Sequence, residues 1–143
     1  MGVDRRKATE SDIPFLLSLR HETMGSHLAA SGADCPDELH LARVMHYFDC
    51  AEVLTDNGSP LGLLKVRREA EVWEIVQIQL SRKVQGNGIG RALLEGLLAD
   101  AAVAGVEVRL SVLKANPARN LYERLGFKIV GEDAHEYFML HAA

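Results

Sequence analysis

Gln85-Gly86-Asn87-Gly88-Ile89-Gly90 holds three glycines in six positions and runs directly into Arg91-Ala92-Leu93-Leu94. A glycine-rich turn between a strand and a helix aims free backbone amides at whatever lies above the helix N-terminus. The helix dipole adds about half a positive charge there. Glycine permits positive φ and lets a ligand approach the main chain with no Cβ in the way. Arg91, in the first helical turn, adds a mobile cation. This chemistry suits phosphate. A nucleotide loop of the GxxxxGK(S/T) kind is excluded, because no lysine in the chain is followed by Ser or Thr. A dinucleotide loop, GxGxxG, is matched weakly from Gly86, since Arg91 stands at the third glycine position. Glu107 lies at a plausible distance for a ribose contact, so that reading stays open. A third pattern, Q/R-x-x-G-x-G/A, is matched in full by Gln85 to Gly90.

A second candidate group precedes the turn. In "VWEIVQIQL" strand alternation puts Glu74 on the side of Val76, Ile78 and Leu80, with Gln77 and Gln79 on the other. A carboxylate among apolar neighbours has its pKa raised toward that of a general base. The competing reading is a structural salt bridge. Arg20, Glu22 and His27, on and after the first helix, and Trp73 beside Glu74 are candidates for the substrate side. His40 and His46, near Cys35 and Cys50, raise the question of zinc. Six residues apart on one helix, the two histidines face different ways, and no metal is expected.

These residues need elements to hold them. "VDRRKA" reads as a first strand. Thr9 and Asp12 form a capping-box-like start, with Pro14 in the first turn of a helix that carries Ile13, Leu16, Leu17 and Met24 and ends near Gly25. "ASGADCP" is a loop. Pro36, Asp37 and Glu38 open a second helix with Leu41, Val44, Met45 and Phe48 at i, i+3, i+4 and i+7. "AEVLTDNGSPLGLLKVRR" is a hairpin around Asp56-Asn57-Gly58. "VWEIVQIQL" is a strand. The helix after the glycine turn repeats Ile89, Leu93, Leu97 and Ala101 and closes at Gly105. "VEVRLSV" is a strand, "NPARNLYERLGF" a short helix, and "FKIVGE" and "HEYFMLH" are strands. One domain spanning 1–143, with a single mixed sheet and helices on both faces, buries all of these apolar faces.

Composition narrows the function classes. A chain of 143 residues with 48% hydrophobic and 25% charged residues fits one soluble globular domain. A net charge of -4 argues against coating nucleic acid. No apolar run is long enough to span a membrane, and "MGVDRRKATESD" lacks a signal-peptide core. Cys35 and Cys50 are too few for a disulfide framework, and a reduced cytoplasmic protein is expected.

A second motif stands about thirty residues beyond the glycine turn: Asn116-Pro117-Ala118-Arg119-Asn120-Leu121-Tyr122-Glu123-Arg124-Leu125-Gly126-Phe127. With the turn itself, it resembles the GNAT superfamily of N-acyltransferases, whose second signature is an Asn followed by A-x-x-L-Y-E-K-x-G-F. The element order is similar over nearly the whole chain outside Gly25 to Phe48. The resemblance implies a mostly antiparallel sheet of about seven strands and acetyl transfer from acetyl-CoA to a primary amine, by direct attack in a ternary complex. It assigns the diphosphate to Gln85, Gly86, Asn87, Gly88, Ile89, Gly90 and Arg91. The pantetheine arm falls to the main chain of Ile78 and Leu80, and a further contact to Asn116, which sits one residue nearer Tyr122 than is common, so that Asn120 is an alternative.

It makes Tyr122 the thiolate protonator, a phenol whose pKa near ~10 keeps its proton at neutral pH. It also makes Glu74 the base, eleven residues before Gln85. Arg82, Lys83, Lys114 and Arg119 are candidates for the phosphates of CoA or for a solvated surface. A homodimer is compatible with relatives of this type. The alternatives are an acyl-CoA-binding sensor without turnover and a dinucleotide-binding oxidoreductase.

Overall fold

The structure, a computed structural model, describes residues 3–30 and 37–142. In chain order the elements are β1 (Asp4–Lys7), α1 (Ile13–Ala30), α2 (Asp37–Met45), β2 (Ala51–Asp56), β3 (Ser59–Arg68), β4 (Val72–Leu80), α3 (Ile89–Ala104), β5 (Glu107–Leu113), α4 (Ala118–Arg124), β6 (Lys128–Glu132) and β7 (Glu136–His141). This is the order expected from the sequence. One boundary differs: α1 continues past Gly25 to Ala30, since a lone glycine inside a helix lowers its stability without ending it. Most of the expected "ASGADCP" loop, with Cys35 and Pro36, and the side chains of Met24 and His27 lie outside the described residues.

Entry into α1 is fixed by the predicted capping box. The Thr9 N–H donates to Asp12 Oδ2 at 2.8 Å, and Arg6 grips both carboxylate oxygens at 2.8 Å. That pairing holds the Asp12 carboxyl down at about 2, the Arg6 hydrogen bonds being the main cause. The β2–β3 turn uses Asn57 (φ 51°) and Gly58 (φ 81°), the backbone a two-residue hairpin needs.

The sheet has seven strands in the order β1-β2-β3-β4-β5-β7-β6. Every pairing is antiparallel except β4 with β5. Helices cover both faces. Leu16 and Leu19 of α1 and Val44 of α2 pack on Ala51, Val53 and Leu63. On the opposite face Leu94, Leu97 and Ala101 of α3 and Tyr122 of α4 pack on Leu64, Val66, Ile75, Val108, Leu110 and Val112.

Two sequence expectations fail for physical reasons. Among the described side chains of α2 the buried ones are His40 and Val44, whereas Leu41 and Met45 are each 44% exposed. The helix sits over polar partners rather than an apolar groove. Arg20 Nε donates to His40 Nδ1 at 2.9 Å, and the fully buried Lys65 Nζ donates to the carbonyls of Arg43, Val44 and His46 at 3.0, 2.8 and 2.7 Å. Lys65 thereby satisfies the C-terminus of α2, where carbonyls lack helical partners.

The second failure concerns β4. Lys65 stands opposite Gln77, and the next residue, Val66, stands opposite Ile75, so Val76 is an extra residue. The bulge reverses the alternation. Glu74 therefore shares the α1/α2 face with Gln77 and Gln79 rather than with Ile78 and Leu80, which pack on the α3/α4 side.

Candidate active site

The parallel pairing of β4 and β5 covers only Val72–Glu107 to Ile75–Leu110. Beyond it the strands separate, and the gap becomes a cleft of about 520 Å³. Its walls are β4 from Glu74 to Gln79, β5 from Leu110 to Leu113, and Arg20, Arg43, His46 and Tyr47 from the α1/α2 side. Asn116 and Tyr122 complete the α4 side. The cleft thus brings together Glu74 and Tyr122, which are 48 residues apart in the chain.

The glycine turn lies just past the C-terminal end of β4. Gly86 and Gly88 have φ of 83° and 76°, which side chains rarely adopt, and a Cβ built on either meets nothing within 4 Å. Gly88 is the N-cap of α3 and offers no side-chain cap, and the first turn carries no acidic residue. The amides of Ile89, Gly90 and Arg91 therefore stand at the positive end of the dipole with no side-chain cap. Ile89 is buried, Asn87 is exposed, and Arg91 pairs with Glu95 at 3.4 Å. The turn does not line the cleft itself. Asn87, Gly88 and Ile89 border a second groove, of about 540 Å³, that runs along α3 beside Val3 and Arg5.

Two side chains hold the turn in place. Gln85 Nε2 donates to the Leu80 carbonyl at 3.0 Å. Glu22 of α1 accepts from the Arg82 N–H at 2.8 Å and from Ser81 Oγ at 3.4 Å. Glu22, expected on the substrate side, is instead a loop anchor. No local pattern links it to Arg82, sixty residues away.

Glu74 lines the cleft as an ion-paired group. Arg67 Nη1 lies 3.2 Å and Arg109 Nη2 3.9 Å from its Oε1. The structural salt bridge expected as the competing reading is present. Trp73 is not in the cleft. It packs with the α3/α4 core, with the Arg68 guanidinium 5.0 Å from its ring centre.

The Tyr122 ring is buried against Phe127, and its hydroxyl has no hydrogen-bond partner among the described residues. Burial pushes its pKa up to about 12. Asn116 lines the cleft and its Oδ1 accepts from the Ala118 N–H at 2.9 Å, which starts α4. Asn120 is exposed and is not among the lining residues.

The other candidates separate. His40 is buried against Arg20 and His21, and His46 stacks on Tyr47 at 4.2 Å. Among the described residues no three His, Cys, Asp or Glu side chains gather as a metal would require. Lys114 pairs with Glu132 and Arg119 with Glu123, both beside Tyr137. Arg82 and Lys83 are exposed at the mouth of the turn. Glu107 pairs with Val72, at the end of the strands away from the turn, so it cannot meet a ribose held there. That removes the acid on which the dinucleotide reading depended.

A family profile described as "Acetyltransferase (GNAT) domain" matches residues 42–141, which span the cleft, the turn and the second motif. The chain belongs to the GNAT acetyltransferase family. Solved structures of similar fold cover its whole length. One is the PaiA N-acetyltransferase of Thermoplasma acidophilum in complex with coenzyme A, at 19% identity and TM-score 0.76, covering 100% of both chains. Another is an acetyltransferase of Thermus thermophilus, at 24% identity and TM-score 0.78, covering 100% of this chain and 98% of the other. A third is N-acetylglutamate synthase of Neisseria gonorrhoeae complexed with coenzyme A and N-acetyl-glutamate, at 18% identity and TM-score 0.70, covering 99% of this chain and 35% of that one. Comparison with curated protein sequences gives no match. Among the described residues of this GNAT chain, no helix is long and apolar enough to cross a membrane.

Proposed function

We propose that this chain transfers an acetyl group from acetyl-CoA to a primary amine by direct attack in a ternary complex. The observation that carries the reading is the opening of β4 from β5 beyond Ile75. It places Glu74 and Tyr122 on one cleft, at the end of a strand that leads to an uncapped glycine turn. The residues present fit the carrier. Beyond their chain neighbours, no atom lies within 4 Å of where a Cβ would stand on Gly86 or Gly88, which leaves the main chain there open to close approach. The amides of Ile89, Gly90 and Arg91 are donors of the kind a diphosphate needs. Arg82 and Lys83 add charge at the rim. Gln85 holds the turn to Leu80, and the unpaired edge of β4 offers main-chain groups at Ile78 and Leu80 to an extended arm.

Acetyl-CoA supplies an activated acyl carbon and a thiolate leaving group. Tyr122 keeps its proton through the whole neutral range and donates it to that thiolate. Glu74 lies on the α1/α2 side, so it takes the proton of the incoming ammonium directly or through a water, or anchors the amine. Cys50 does not line the cleft, which supports transfer without a covalent intermediate on that thiol.

The test is an amine library assayed by release of free CoA thiol, with Tyr122→Phe alongside. Turnover on a primary amine, lowered roughly tenfold or more by the substitution, is the expected result. Calorimetric CoA binding with no thiol released across the library would instead favour a sensor that has kept the loop without catalysis.

A further inference from the structure

The carboxylates and guanidinium groups around the cleft are unequally paired. Arg67 is shared between Glu69, at 2.9 Å, and Glu74, at 3.2 Å, and Arg109 also reaches Glu74. Arg43, on α2, lines the same cleft with its side chain exposed and forms no ion pair with any described carboxylate. Its backbone carbonyl is held by Lys65, so the residue is fixed at its root while the guanidinium stays open. Glu136 faces the cleft too; burial first and Asp133 second push its carboxyl upward, while Arg43, without an ion-pair contact, and then His135 pull it down. An exposed guanidinium in a ligand cleft, with no carboxylate in ion-pair contact, is a ready partner for a carboxylate, which it can bind through two parallel hydrogen bonds.

A second, independent observation lies on β4. Gln77 Oε1 is buried and has no hydrogen-bond donor among the described residues. Buried acceptors are rarely left this way in the working state of a protein. The bulge at Val76 turns Gln77 to the α1/α2 face, the face of Glu74. What it lacks is an N–H, and being uncharged it would accept one without drawing Arg43 away.

We propose that the acceptor is an amine that also carries a carboxylate, with Gln77 receiving an N–H of the amine and Arg43 binding the carboxylate. This rests on the acyl-transfer reading above and narrows it to amino-acid-like acceptors. It also reverses the weak lean toward cationic amines that the net charge of -4 suggests, since the charge that matters is local. An oligocation would meet Arg43 beside two carboxylates, Glu74 and Glu136, that arginines already face.

The experiment measures binding and turnover separately on the complex with CoA. Glycine, β-alanine, 4-aminobutyrate and L-glutamate are each titrated against the corresponding carboxamide, with spermidine as the oligocation. At least one acid should bind roughly tenfold or more tightly than its amide. Arg43→Gln should bring that ratio close to one without altering CoA affinity. Gln77→Met should weaken acid and amide by a similar factor and leave the melting temperature unchanged or higher, because it removes an unpaired buried acceptor. Equal binding of every acid and its amide, tighter binding of spermidine, or an acid preference that survives Arg43→Gln overturns the proposal. Acid-selective, Arg43-dependent binding without thiol release would sink the transfer reading alone. Thiol release confined to spermidine or to amides would sink this inference alone.

Discussion

The two faces of the sheet are built from different materials. On the α3/α4 face, Leu, Val, Ile and Met interlock with a helix whose own apolar residues recur at helical spacing. On the α1/α2 face the apolar cluster is smaller, and Arg20, His40, Lys65 and Gln79 are buried beside it. The first face is a scaffold held by area and packing, insensitive to direction. The second is held by directional contacts, such as the three carbonyls on Lys65, which fix where α2 ends and therefore where Arg43, His46 and Tyr47 stand. Burial pushes the Lys65 pKa down to about 8. Three acceptors engage all three of its ammonium hydrogens and favour the charged form at neutral pH. Regular packing supports the α3/α4 side of the cleft, and buried polar contacts shape the α1/α2 side.

The sharpest break of this contrast is at the turn. Gly88→Trp should weaken CoA binding roughly a hundredfold or more by filling the space above α3 and straining a positive φ. Isothermal titration with an unchanged constant would refute the placement of the diphosphate. Next in size is Lys65→Met, which leaves the α2 carbonyls without donors. It should lower stability by roughly 3 kcal/mol in urea unfolding. The wild-type protein should gain stability from this group as pH rises from about 8 toward the unfolded value of 10.5, because the unfolded chain there binds a proton that the folded one has lost. That increment should be missing in Lys65→Met.

Glu74→Gln tests the acceptor side without disturbing the scaffold. It should lower kcat/KM roughly tenfold to a hundredfold and flatten the acidic limb of the pH–rate profile. A profile of unchanged shape would return Glu74 to a purely structural ion pair with Arg67. The smallest effect is expected outside the cleft, at Asp12→Asn. Its folded-state pKa of about 2 lies below the unfolded value of 3.8. The wild-type advantage should be roughly 2 kcal/mol above pH 4 and fade as pH falls through 2. Acid unfolding curves of the two proteins that fail to converge would show that the Arg6–Asp12 pair is not the source.

Much of the fold was legible because local chemistry and packing agree. Thr9 and Asp12 announced a helix start, Asn57-Gly58 a hairpin, Gly105 a helix end, and the leucines of α3 a buried stripe. The glycine turn and Tyr122 were legible as motifs. What escaped depends on partners far away in sequence. The side on which Glu74 lies is decided by one extra residue, Val76, which alternation counting cannot detect. The buried side of α2 is decided by Lys65, which an apolar pattern does not include. Glu22 looked like a ligand until Arg82 was beside it. Trp73, adjacent to Glu74, turns the other way for the ordinary reason that neighbours in a strand do so.

The backbone ladder between β4 and β5 has only four registered rungs, Val72–Glu107 to Ile75–Leu110. Two or three more would zip the gap shut and erase the cavity, so the fold keeps its workplace by leaving a seam unsewn. An extended molecule laid in that seam would serve as temporary thread, lending hydrogen bonds to edges that do not pair with each other. Occupancy and cohesion of the two half-sheets are then one linked equilibrium, and the protein is at its most rigid when it is loaded.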